Sequence, residues 1–123
     1  MTFKGGKTMK RIEMIDKAIE AGKATWQIEE FSQVFVAAYY YAVASENDMP
    51  NFGEIIWDHD IPDMIRDLNK YGYHEFTISS TFSGLIHTIA ELEKQGCKLE
   101  GTCEIKDRYG FEDDMIPAFK MSL

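Results

Sequence analysis

The chain has 123 residues, 45% hydrophobic and 13% aromatic, which is enough for one packed core and too apolar for a disordered chain. Its 13 Lys and Arg against 21 Asp and Glu give a net charge of −8, which repels nucleic-acid phosphates and anionic membranes, so direct binding to either is not expected. No apolar run reaches the roughly 20 residues of a membrane span, and Cys97 and Cys103 are too few for a disulfide framework; a cytoplasmic protein with free thiols and no cofactor is expected.

Residues 1–8 read as a leader. Lys4-Gly5-Gly6 can be encoded by AAA-GGA-GGT, a bacterial ribosome-binding sequence, and Lys7-Thr8 would space it normally from an initiator at Met9. Gly5-Gly6-Lys7-Thr8 is not half of a phosphate loop, because the earlier glycine and the preceding buried strand are missing. The expectation is a start at Met9 and a single domain over residues 9–123.

Residues 9–21 place Ile12, Ile15 and Ile19 at helical spacing, with Gly22 as a stop. Thr25 offers the cap of a longer helix, which carries Ile28, Phe31, Val34, Phe35, Ala38, Tyr39 and Ala42 as a broad apolar stripe and ends near Glu46. Residues 52–57 read as a short helix behind an Asn51/Glu54 capping pair, although Ile55-Ile56-Trp57 also suits a strand. Asp60 and Pro62 open a further helix that buries Ile61, Met64, Ile65, Leu68 and Tyr71 and closes at Gly72.

The second half changes character. Residues 74–79 alternate as a strand, and Ser79 or Ser80 caps a helix carrying Phe82, Leu85, Ile86, Ile89 and Leu92. Cys97, Leu99, Cys103 and Ile105 then alternate with polar residues as a strand with one wet face. A turn through Tyr109-Gly110 and Glu112-Asp113-Asp114 leads to a last strand over residues 115–123, where Pro117 points to an edge position. The fold class is α+β: a helical N-terminal half, then a β-α-β-β unit forming a small mixed three-stranded sheet with helices packed on one face. The helix between the first two strands makes them parallel, and the last strand runs antiparallel to its predecessor.

Three runs, Phe76-Thr77-Ile78-Ser79-Ser80-Thr81-Phe82-Ser83, Gly96-Cys97-Lys98-Leu99-Glu100-Gly101 and Ile116-Pro117-Ala118-Phe119, resemble a family of small uncharacterised proteins of gut Firmicutes, often associated with mobile genetic elements. Glu29-Glu30-Phe31 and Ile56-Trp57 extend the likeness weakly into the helical half. The resemblance implies a setting rather than a chemistry: small acidic proteins of mobile elements often act by blocking a host or rival macromolecule, anti-CRISPR proteins among them.

Several residue groups compete as sites. Asp58-His59-Asp60 with Asp63 offers carboxylates and imidazole to a divalent cation, but Asp60 also serves as a helix cap and Asp63 as a first-turn acid. Ser79, Ser80, Thr81 and Ser83 stand where a helix N-terminus favours an anion, without the glycine-rich loop that brings backbone close to phosphate. Cys103 shares its strand face with apolar neighbours, His87 reads as a helix-surface residue, and no serine sits in a Gly-x-Ser-x-Gly elbow. Tyr39-Tyr40-Tyr41 is the better clue to binding, because neighbouring residues on a helix diverge by about 100° and three rings cannot enter one narrow stripe, although a wide buried face on a helix packed all round is the more ordinary reading of the run.

The expected function is a non-enzymatic, acidic protein-interaction module using Tyr39, Tyr40, Tyr41 and the acidic turn Glu112, Asp113 and Asp114 against a basic protein, as an anti-CRISPR-type inhibitor of a nucleic-acid-handling protein would. The alternatives are a small metal-binding domain or enzyme built on Asp58, His59, Asp60 and Asp63, and a homo-oligomeric accessory protein that pairs through its edge strand or tyrosine helix.

Overall fold

A computed structural model describes residues 9–107 and 114–123; the expected leader, Glu112 and Asp113 lie outside the described residues. The elements are α1 (Glu13–Glu20), α2 (Gln33–Ser45), β1 (Asn51–Phe52), α3 (Ile61–Lys70), β2 (Glu75–Ile78), α4 (Leu85–Lys94), β3 (Lys98–Lys106) and β4 (Met115–Ser122). Short 3-10 turns at Thr25–Gln27 and Asp58–Asp60 precede α2 and α3. The fold is α+β, as the patterning predicts, and its mixed sheet has four strands in the order β1-β2-β4-β3 rather than three.

The additional strand comes from the segment expected to be helical. Asn51 and Phe52 pair in parallel with Thr77 and Ile78, and the Phe52 ring meets Phe76 edge-on at 5.4 Å. Burying that ring against β2 outweighs the weak helical signal of residues 52–57, which form no helix. β2 and β3 run in the same direction, as the crossover through α4 requires, but β4 lies between them and pairs antiparallel with both. Pro117 is therefore on a central strand. Its missing N–H is tolerated because β2 pairs only with Phe119, Lys120, Met121 and Ser122, leaving Pro117 matched on the β3 side alone, opposite Glu104.

The long helix expected from Thr25 is broken. Both the backbone N–H and the hydroxyl of Ser32 donate to the buried Asp67 carboxylate on α3, at 2.9 and 2.8 Å. An N–H held by another element cannot serve a continuous helix, so α2 begins afresh, with Ser32 Oγ accepting from the Phe35 N–H. Helix α1 also starts late, at Glu13, because Ile12 remains extended and donates its N–H to the Tyr39 hydroxyl.

The main core joins Phe35 and Tyr39 of α2, Met64 and Leu68 of α3, Phe76 and Ile78 of β2, Leu92 of α4 and Met121 of β4. Ile86, one of the apolar residues that α4 carries, is 85% exposed. A β-bulge between Leu99 and Gly101 corrects the expected single apolar face of β3, with Gly101 at φ +135° in a region that favours glycine. Leu99 stands opposite Met121 and Cys103 opposite Ala118, and those two β4 residues project from opposite faces. Leu99 accordingly packs on the main core, while Cys103 joins Tyr41, Ile105, Ile116 and Ala118 in a second cluster. Among the described residues no helix is long and apolar enough to cross a membrane.

Candidate functional site

The three tyrosines of α2 diverge as the 100° step demands. Tyr39 is fully buried; its hydroxyl accepts from the Ile12 N–H at 2.8 Å and from Arg11 Nε at 3.3 Å, and donates to Asp16 Oδ1 at 2.6 Å. Burial raises the Tyr39 pKa above its ordinary value, and the hydrogen bond to Asp16 adds to the shift. Tyr41 packs on the second cluster and donates to Asp107 Oδ1 at 3.5 Å. Tyr40 is half-buried, and its only hydrogen bond among the described residues runs to the Lys23 carbonyl at 3.0 Å.

Tyr40 and Tyr41 border a cavity of about 490 Å³ between α2 and residues 52–60. Val34 and Ala37 continue the α2 wall, and Phe52, Ile55 and Trp57 form the facing one. The Tyr41 ring lies so close to Gly53 that a Cβ at this position would sit 2.7 Å from Cε2. Only a glycine leaves that ring and the 53–57 backbone in place. Residues 53, 54, 55 and 57 also form one side of a second, more open groove of about 590 Å³, whose other side is Ser80, Thr81 and Phe82. One thin segment thus separates two grooves.

The chemistry of this wall is aromatic and acidic. Trp57 is 61% exposed and Ile55 47%, large apolar side chains left in water beside the carboxylates of Glu54 and Asp60. Neither groove is lined by a lysine or an arginine. Asp60 Oδ2 already accepts from the Trp57 N–H at 3.1 Å, and Oδ1 lies 3.4 Å from His59 Nε2. Glu54 makes no ion pair or hydrogen bond within the described residues, so its carboxylate stands free at the junction of the two grooves.

The wall is tied to α4. His87 Nε2 lies 2.9 Å from Asp58 Oδ2, and the buried Thr88 hydroxyl donates to the Ile56 carbonyl at 3.4 Å. The hydrogen bond with Asp58, followed by the charge attraction, raises the His87 pKa above its ordinary value. This pair spans 29 positions and has no local signature in the sequence.

The expected cation site is not assembled. Asp58 is engaged with His87, Asp60 with Trp57 and His59, and Asp63 with Arg66 at 3.0 Å. Among the described residues no three His, Cys, Asp or Glu side chains stand together to hold a metal. Asp60 occupies the N-cap position of α3, but its side chain turns back onto the 3-10 turn.

The expected anion site loses its helix end, because α4 starts at Leu85 with Gly84 at the cap and no side-chain capping bond. Ser79, Ser80, Thr81 and Ser83 lie instead in the connection from β2. Ser79 Oγ accepts from Asn51 Nδ2 at 3.0 Å, and Ser80 is buried. Asp114 is exposed and its carbonyl accepts from the Asp107 N–H.

Of the binding residues named from sequence, Tyr40 and Tyr41 reach the site and Tyr39 does not. Glu54, Ile55 and Trp57 are not among them, because the sequence pattern of residues 52–57 suits a short helix or a strand, not the irregular groove wall that the fold makes of residues 53–57. No local signal marks them, because Ile55-Ile56-Trp57 is an unbroken apolar run in the sequence, and only the fold sets Ile56 inward between exposed Ile55 and Trp57. Residues 34–123 match a family described as a domain of unknown function (DUF7698). No curated protein and no solved structure matches the chain.

Proposed function

The chain belongs to the DUF7698 family, a domain of unknown function, and from the geometry of its grooves we propose that it is a non-enzymatic binding module for a basic segment of a partner protein. The observation that carries this reading is the wall 53–57, where exposed Trp57 and Ile55 line the same grooves as the Glu54 carboxylate, with no lysine or arginine in the lining. An indole face and a carboxylate attract a cation together, and the net charge of −8 draws it in at long range. The same charge sets nucleic acid and anionic membranes aside as ligands.

The likeness of the C-terminal half to mobile-element proteins of gut Firmicutes supplies a setting. In it, a cytoplasmic module occupies the basic surface of a nucleic-acid-handling protein and blocks it, as an anti-CRISPR protein would.

The test is titration of the full chain with a short blocked peptide rich in lysine and arginine, followed by tryptophan fluorescence and calorimetry at low and high salt. Saturable binding that weakens with salt and is lost in Trp57→Ala supports the reading. An absence of binding at low salt, or binding that Trp57→Ala leaves unchanged, removes it.

A further inference from the structure

We infer that the wall between the two grooves selects arginine over lysine, holding a guanidinium of an extended partner segment on the Trp57 ring against the Glu54 carboxylate. The inference rests on the proposed binding of a basic segment and names the side chain that segment must present.

The case starts from the acceptors. Asp60 is drawn back onto its own turn, with Oδ2 accepting from the Trp57 N–H and Oδ1 3.4 Å from His59 Nε2, whereas neither Glu54 oxygen is engaged among the described residues. A single free carboxylate is a poor host for an ammonium, a strongly hydrated point charge whose three N–H donors need several acceptors in different directions. It suits a guanidinium, which places two parallel N–H groups on one carboxylate and is more weakly hydrated.

The flat surfaces point the same way. Trp57 is 61% exposed on one wall and Tyr40 lines the opposite one, so a planar cation can lie against a ring while its edge faces Glu54. An ammonium gains from the ring only by charge, but a guanidinium also stacks.

The size of the site identifies the source of that arginine. Cavities of about 490 and 590 Å³ meet at residues 53–57, more space than one side chain fills. Free arginine would leave both mostly vacant, whereas an extended segment crossing the wall occupies both and sets its arginine at the junction. Ile55, 47% exposed on the same wall, offers apolar area to the residues flanking that arginine.

The experiment compares two blocked peptides, identical except for arginine or lysine at the same three positions, by calorimetry and by the shift of the Trp57 indole N–H signal. Trp26→Phe removes the other exposed indole. The arginine peptide is expected to bind about tenfold more tightly. Glu54→Gln should reduce that preference, and Trp57→Ala should abolish it, while both variants unfold at the parent's denaturant midpoint. Equal binding of the two peptides overturns the selection of arginine and leaves the binding module standing. Binding of neither overturns both. Free arginine binding as tightly as the peptide overturns the extended segment as its source.

Discussion

Tyr39 and Tyr40 are neighbours on one helix and have opposite fates. The Tyr39 hydroxyl is gripped by Ile12, Arg11 and Asp16 in a closed network, beside Tyr73, whose own hydroxyl donates to the Lys10 carbonyl. Burial, the main cause, holds the Tyr73 phenol well above its ordinary pKa. Tyr40, one residue on, borders an open groove whose far wall keeps an indole and a carboxylate in water. Aromatic rings and acids occur on both faces of α2, so composition does not distinguish them. What differs is the acids: Asp16 is engaged by Tyr39 and Arg11 and helps hold the structure together, whereas Glu54 has no partner among the described residues and remains available to a ligand.

The largest test of this division lies on the closed face. Phe35 is fully buried, with Phe31, Tyr71 and Tyr73 around it at ring-centroid distances of 6.1, 6.4 and 6.1 Å. Phe35→Ala should cost about 3–5 kcal/mol by denaturant unfolding. Asp67→Ala follows, leaving the Ser32 N–H and hydroxyl without their acceptor, at about 2–3 kcal/mol. If Asp67→Ala unfolded at the parent's midpoint, the account of why α2 begins at Gln33 would fail.

A sharper comparison replaces the two neighbouring hydroxyls. Tyr39→Phe removes the acceptor of the Ile12 N–H and the donor to Asp16 and should cost about 1–3 kcal/mol. Tyr40→Phe removes one exposed bond to Lys23 and should stay within about 0.5 kcal/mol of the parent. Equal losses would erase the distinction between the faces.

Much of this fold was legible because the signals were local. Gly22 and Gly72, both at positive φ, stop their segments as expected, and the 3.6-residue spacing of Ile61, Met64, Ile65 and Leu68 identifies α3. The parallel direction of β2 and β3 followed from the helix between them. The misses came from long-range partners. Asp67 reaches 35 positions back to break the α2 helix, Phe76 recruits Phe52 into a strand, and one bulge residue moves Cys103 to the face opposite Leu99. The candidate site was half legible for the same reason: the tyrosine run announced rings pointing in several directions, but only the packing of α2 decides that Tyr40 and Tyr41, not Tyr39, meet the wall of residues 53–57.

The smallest expected effect concerns how that wall is held. His87 and Asp58 are both well exposed, and Glu91 further raises the imidazole pKa while Lys94 and the limited burial lower it. Because the folded-state pKa is raised, the pair's contribution to stability is fully present below the ordinary histidine value of about 6.5 and is lost as pH rises through the folded-state pKa. Asp58→Asn removes the largest cause of the shift, so an NMR titration of the His87 ring should move back towards the ordinary value. The wall should nevertheless remain docked, since Thr88 still holds the Ile56 carbonyl and Ile56 stays buried. An unchanged His87 titration in Asp58→Asn would mean that the ion pair is not formed in solution. A titration that falls together with loss of the Trp57 indole shift on peptide binding would mean that the pair, rather than Thr88 and Ile56, keeps the grooves apart.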